Sequence, residues 1–174
     1  MTDEAPAPEN LCIECGLCCN GALFDYGPLA DDEVEEMREA GLTILEDNKK
    51  FGFGLPCPQI DGAVCQVYDK RPQTCRAFRC EVLKSVEAGD LAYEEGLQHV
   101  EQGRAALAQV HAQLPERATI TDARRWRREA SQADASEALN ASPMLMMALG
   151  MLDLILDQHF RKPGQRQVMP VDQD

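Results

Sequence analysis

Between Leu91 and Leu114 the apolar residues Leu97, Val100, Leu107, Val110 and Leu114 recur near helical spacing, and Pro115 closes the segment. Gly96 and Gly103 fall inside it and lower its intrinsic helicity. The flanking text predicts further helices. One runs from Cys80 to Ala88 and stops at Gly89; another is capped by Thr121 or Asp122 and runs to about Leu139; the last is opened by Ser142 and Pro143 and runs to about Phe160. In that last segment Met144, Met147 and Met151 share one face with Met146 off it, a spacing expected of core packing rather than of a soft-metal site.

Ahead of residue 80 the pattern is less regular. Residues 1–10 read as a disordered acidic leader, and residues 11–28 as a loop ending at Tyr26-Gly27-Pro28. A helix over residues 32–40 is predicted from Asp32 as N-cap, Glu35 three positions on, and Gly41 as the stop. Leu42 to Leu45 and Phe51 to Phe53, separated by a polar run, suit a small hairpin. After a turn at Asp61-Gly62, Ala63 to Tyr68 is strand-like, and Arg71-Pro72 opens a helical turn. The expected fold is mainly α, with an irregular cysteine-rich metal-binding front half and a short β-hairpin. In that division residues 11–81 form the cysteine region, residues 82–160 a helical region packing on it as one domain, and residues 161–174 a flexible tail.

A chain of 174 residues suits one cored domain, and an aromatic content of 5% leaves that core to Leu, Met, Val and Ala. The formal charge of -13 is concentrated at the front, where thirteen acids from Asp3 to Asp47 face the single base Arg38. Such a field repels nucleic acid and anionic membranes and favours a basic protein partner. The basic run Arg124, Arg125, Arg127 and Arg128 around Trp126 is expected to be a solvated face that pairs with this acidic front, not a nucleic-acid patch. The first ten residues carry acids and prolines where an export signal needs basic and apolar segments, and the longest apolar run, Met144 to Leu152, is short of a membrane span. A cytoplasmic location is therefore expected, and in a reducing compartment eight cysteines point to metal or redox chemistry rather than to disulfides.

Cys12-x2-Cys15-x2-Cys18 gathers three thiols on a tight turn whose backbone amides can donate to sulfur, as proteins do around an iron–sulfur cluster. The run resembles the cluster-binding segment of bacterial ferredoxins, including a Gly between the second and third cysteines that permits a positive φ. That pattern demands a Cys-Pro three residues later, whereas Cys57-Pro58 arrives 39 positions after Cys18. Zinc is the competing ion, since a Cys-x2-Cys knuckle with two remote cysteines makes a tetrahedral site and eight cysteines could make two. Spacing does not choose between them, and copper(I) ranks below both. Side chains of adjacent residues on extended backbone point apart, so Cys19 is expected to face away from its neighbours toward a second site or the core.

Taken together, Cys12-x2-Cys15-x2-Cys18-Cys19, Pro56-Cys57-Pro58 and Cys65-Gln66-Val67-Tyr68-Asp69-Lys70-Arg71-Pro72-x2-Cys75-Arg76-x-Phe78 closely resemble the CxxCxxCC cysteine-cluster family, also called the YkgJ family. The resemblance spans roughly residues 11–81. It implies a zinc- or iron-chelating domain whose eight characteristic cysteines are Cys12, Cys15, Cys18, Cys19, Cys57, Cys65, Cys75 and Cys80, with an iron–sulfur cluster preferred here and zinc as the alternative. The family includes flagellin lysine N-methylases, which brings in a protein-modifying enzyme as an alternative; a structural zinc module for interactions is the other. No strand, Gly-rich turn and helix of the usual methyl-donor kind occurs in the sequence. Arg71 and Arg76 stand as candidates to stabilise thiolates, with an Asp69 salt bridge as the competing role of Arg71. Tyr68 and Phe78 are expected to pack over the site, and His99, His111 and His159 to be solvated or capping residues.

Overall fold

The computed structural model describes residues 7–48, 50–132 and 142–162. Its frame is a pair of long helices, α5 (Tyr93–Gln113) and α7 (Pro143–His159). Val100, Leu107 and Val110 of α5 are buried, as are Leu145, Leu149, Leu152 and Leu156 of α7, so each helix contributes one stripe to a shared core. Each helix start is fixed locally. The Ser142 hydroxyl accepts from the Leu145 N–H at 3.1 Å, and the Glu95 carboxylate accepts from the Ala92 N–H at 3.2 Å. The two glycines that weaken α5 on propensity are where a third helix, α1 (Glu9–Cys15), and the turn after it come closest. A Cβ at Gly96 would stand 3.0 Å from Leu11 Cδ1, and one at Gly103 would stand 2.7 Å from Leu17 Cδ1.

Helix α1 replaces the loop expected over this stretch. With Leu11 alone among its apolar residues buried to 2% exposure, seven residues are too few to show a period in the sequence. Gly16, at φ 64°, ends it. The predicted hairpin is present as β2 (Ile44–Asp47) and β3 (Lys50–Gly54), and β1 (Tyr26–Leu29) adds an unexpected third strand in the order β1-β3-β2, all antiparallel. A 3-10 turn at Asp31–Glu33 leads into α2 (Val34–Glu39), and Glu33 rather than Asp32 supplies the cap by accepting from the Ala30 N–H at 3.3 Å. Two residues each of β4 (Ile60–Asp61) and β5 (Val64–Cys65) pair around Gly62; α3 (Gln73–Ala77) and α4 (Glu81–Ala88) follow.

Helix α6 (Ile120–Gln132) opens on neither Thr121 nor Asp122. Thr119 and Asp122 cap it reciprocally, the carboxylate accepting from the Thr119 N–H at 2.9 Å and the Thr119 hydroxyl accepting from the Asp122 N–H at 3.2 Å. Its expected end near Leu139 lies outside the described residues, as do most of the leader and the tail. The methionine face of α7 is not core: Met144, Met147 and Met151 are 57%, 66% and 56% exposed, with Leu154 beside them. The leucine stripe on the opposite side takes the interior, because branched leucines fill it with fewer rotamers to lose. Among the described residues no helix is long and apolar enough to cross a membrane.

One interaction ties the helical half to the front. Arg124 is fully buried, not solvated, because it follows Ile120 and Ala123 on the inward side of α6. It donates to the Gly21 carbonyl at 2.5 Å and to the Ala22 carbonyl, with Asp25 at 3.5 Å and Asp153 at 3.9 Å. Arg161, grouped by its polarity with the tail, is also buried; it donates to the same Ala22 carbonyl at 3.0 Å and pairs with Asp153 and Asp157. Asp153 in turn accepts from Arg127 at 2.6 Å. Of the arginine run only Arg125 and Arg128 keep exposed side chains, and the acidic front meets the run through Asp25. Replacing Arg124 with Met leaves the Gly21 carbonyl without its donor and takes one cation from Ala22, Asp25 and Asp153, which keep Arg161, Arg128 and Arg127. The expected loss is about 3–5 kcal/mol of unfolding free energy by urea titration, against less than about 0.5 kcal/mol for Arg125→Met.

Candidate metal centre

Six short elements bring the eight cysteines to one end of the molecule. Cys12 and Cys15 sit three residues apart on α1, Cys18 and Cys19 on the turn after it, Cys57 after β3, Cys65 on β5, Cys75 in α3, and Cys80 at the N-cap of α4. The turn is held from several sides. The Ala22 N–H donates to the Leu17 carbonyl at 2.9 Å, and the Cys57 N–H donates to the Cys19 carbonyl at 2.7 Å. The Asn20 side-chain amide donates to the Gly16 carbonyl at 3.0 Å and to the Gly62 carbonyl at 2.9 Å, fastening the β4–β5 turn to the first cysteine cluster. A Cβ at Gly16 would meet the Ala63 backbone at 2.8 Å, so the same glycine that supplies the positive φ also admits this close approach.

The thiols wall two adjoining chambers. The smaller, about 50 Å³, is lined by Cys12, Cys15, Cys18, Cys19 and Cys80 with Leu11, Leu17 and Phe160. The larger, about 180 Å³, is lined by Cys12, Cys18, Cys19, Cys57, Cys65 and Cys75 with Phe53, Leu55, Val67, Tyr68 and Arg71. Cys12, Cys18, Cys19 and Phe78 border both and form the partition. Phe78 is braced edge-on by Phe24, with ring centroids 4.9 Å apart.

Mutual electrostatics sort the thiols further. All eight are free. Burial pushes Cys15 up to about 12, with smaller contributions from Cys80 and Cys12; burial raises Cys18 well above its ordinary value, followed by Cys15 and Cys80. Cys19 is pushed up to about 12 by burial and then by Cys57 and Cys65, and Cys75 to about 12 by burial and then by Cys19, Cys57 and Cys65. The adjacent pair therefore differs: among the thiols Cys15 and Cys80 act most on Cys18, and Cys57 and Cys65 most on Cys19, while Cys12 acts on both and is itself raised by burial and then by Cys65. They stand on a turn, not on the extended backbone the sequence argument assumed.

Groups that favour thiolate are also in place. Backbone N–H groups of Leu17, Gln59 and Val82 each act on the cysteine two residues before them, and the Leu83 N–H reaches Cys80 Sγ at 3.5 Å. Arg71 lies over the Tyr68 ring, 3.4 Å from its centroid, and its positive charge favours thiolate at Cys12, Cys19 and Cys75. Arg76 is exposed, and the cation that acts on Cys12 beside Arg71 is Arg79. The sequence reading passed over Arg79, although its position next to Cys80 was a usable signal. Tyr68 and Phe78 pack as walls, as expected. His99 and His159 are half-buried and stack with ring centroids 3.8 Å apart between α5 and α7, His111 is exposed as expected, and no histidine lines either chamber.

An all-sulfur donor set, an apolar wall and N–H groups aimed at sulfur suit a zinc ion or an iron–sulfur cluster. Among the described residues no three Cys, His, Asp or Glu side chains converge closely enough to grip an ion as they stand. Neutral thiols gain nothing by crowding, so ligation must both remove their protons and draw the sulfurs inward.

No curated protein and no solved structure matches this chain. A family model described as "Putative zinc- or iron-chelating domain" matches residues 11–101, a span that takes in every cysteine of both chambers, α4 and the start of α5. On that match over more than half its length, the chain belongs to the CxxCxxCC family of metal-chelating cysteine-cluster domains.

Proposed function

We propose that this protein is a metal-binding protein carrying an iron–sulfur cluster, with a zinc ion beside it, in a redox or accessory role. The observation that carries the reading is the convergence of eight free thiols from separate elements on two chambers with apolar walls. N–H groups directed at Cys15, Cys57 and Cys80 add to it, since hydrogen bonds to sulfur stabilise thiolate ligands and tune a cluster's potential. A bound cluster would supply one-electron transfer; the chain itself holds the sulfurs, excludes water through Phe53, Leu55 and Val67, and offsets negative charge with Arg71. The acidic front suits a basic protein as partner, in the cytoplasm.

The same acidic surface favours a second reading, a protein-modifying enzyme related to the flagellin lysine N-methylases, whose substrate would present lysines. Binding of a methyl donor by the metal-loaded protein is its test. The described strands are all antiparallel, so a donor site of the doubly wound kind has no support in the fold.

Anaerobic purification should give a brown protein with broad sulfur-to-iron absorbance toward the violet, and metal analysis should find iron with acid-labile sulfide. A colourless protein holding stoichiometric zinc alone would overturn the iron–sulfur reading. Removing metal should leave the helices folded, because the Leu149, Leu152, Leu156 and Val110 core contains no thiol. A chelator-treated sample that loses its circular dichroism would instead favour the structural zinc module.

The metal-free protein should also be alkali-sensitive. Cys15, Cys19 and Cys75 are raised from 9.0 to about 12 in the fold, chiefly by burial. Below pH 9 both states keep these protons and the fold is unaffected; above it the unfolded chain ionises first, so stability falls progressively as pH rises toward 12. Thermal melts of reduced, chelated protein should show this fall, and a midpoint independent of pH across that window would contradict it.

A further inference from the structure

The two chambers differ in size by more than threefold, about 50 against 180 Å³. A cavity of about 150 Å³ accepts a benzene ring, whereas a single water requires only about 10–15 Å³. A cluster core of several iron and sulfide atoms is at least as bulky as benzene, so only the larger chamber has room for one without repacking the core. A single ion needs no more space than a water. The smaller chamber is also the stiffer one. Cys12 and Cys15 stand on a helix packed against Gly96 of α5, the turn after it packs through Leu17 against Gly103, Cys80 is fixed as the N-cap of α4, and Leu11 and Leu17, both essentially unexposed, close its floor. The larger chamber is framed by short pieces, the two-residue strand carrying Cys65 and the five-residue helix carrying Cys75, which can adjust around a bigger group.

We propose that the chambers are two centres of different kind: Cys19, Cys57, Cys65 and Cys75 hold the iron–sulfur cluster, and Cys12, Cys15, Cys18 and Cys80 hold a single tetrahedral ion, zinc or ferrous iron. The assignment rests on the iron–sulfur reading above and goes beyond it by naming each ligand set. It runs against the ferredoxin-like spacing of Cys12, Cys15 and Cys18, which on sequence alone would place the cluster at the front of the chain. That spacing serves a zinc knuckle equally well, and space decides between them. The linings divide the same way: Cys15 and Cys80 border only the smaller chamber and Cys57, Cys65 and Cys75 only the larger, Cys12 shares α1 with Cys15, and the Cys19 carbonyl accepts from the Cys57 N–H at 2.7 Å. Four thiolates around one divalent ion balance to a net charge of about -2, so loading the smaller centre displaces four thiol protons in all.

The test uses the full chain, purified without oxygen. Cys65→Ser and Cys75→Ser should lose the visible absorbance and the sulfide while keeping one tightly held ion; Cys15→Ser and Cys80→Ser should lose that ion and stay brown. A wild-type measurement guards against variants that do not fold. Mild chelation that removes the single ion without bleaching the protein, followed by alkylation and mass spectrometry, should label Cys12, Cys15, Cys18 and Cys80 and spare the other four. Colour that follows Cys15 or Cys80, or labelling that falls on Cys57, Cys65 and Cys75, overturns the assignment while leaving the iron–sulfur reading intact. A wild-type protein that is colourless ends the iron–sulfur reading itself, and the assignment with it.

Discussion

A buried guanidinium holding two backbone carbonyls sets the frame for the rest of this molecule. Arg124 and Arg161, from α6 and from the residue pair after α7, reach the carbonyls of Gly21 and Ala22, immediately beyond Cys18-Cys19. Carbonyl groups on a tight turn usually go to water; here they are enclosed, and charged donors satisfy them. Taking two arginines out of water is costly, and Asp153, with Asp25 and Asp157 around it, offsets that cost. The network holds one conformation of the cysteine turn, in which Cys18 and Cys19 stand in the partition that borders both chambers.

The chemistry of the centre follows from that partition. Burial holds Cys15, Cys18, Cys19 and Cys75 protonated, while N–H groups, Arg71 and Arg79 favour the thiolate form at the site. Without metal, burial prevails and these protons stay on sulfur. A cation tips the balance, since its charge is closer and larger than any of the competing groups. Apolar walls then work in favour of the bound state, since low polarity around the sulfurs strengthens their attraction to a cation.

Much of this was legible in the sequence, for identifiable reasons. The eight cysteines, the helices from Cys80 onward and the β2–β3 hairpin each carry strong local signals: spacing, period, and Gly, Pro or Ser at the ends. What escaped notice was decided by packing. Helix α1 is too short to display a period, and β1, with Gly27 and Pro28, reads as a turn until β3 pairs with it. Arg124 looks like its neighbours Arg125 and Arg128 in the text, and only the buried Ile120 and Ala123 beside it tell which way it points. The α7 methionines and leucines present two equally apolar stripes, and nothing local says which faces in. The grouping of cysteines into chambers depends on contacts between residues dozens of positions apart, which spacing does not encode.

The reach of those arginines also bears on how the centre comes into being. The Ala22 carbonyl receives its donors from residues 102 and 139 positions downstream. A ribosome that has already released all eight cysteines has yet to make α6 and α7, so the growing chain carries its ligands well before it owns the frame that separates them. The order of synthesis thus sets ligands first and geometry last. Metal that arrives early meets an undivided set of thiols, and their sorting around two chambers belongs to the finished fold.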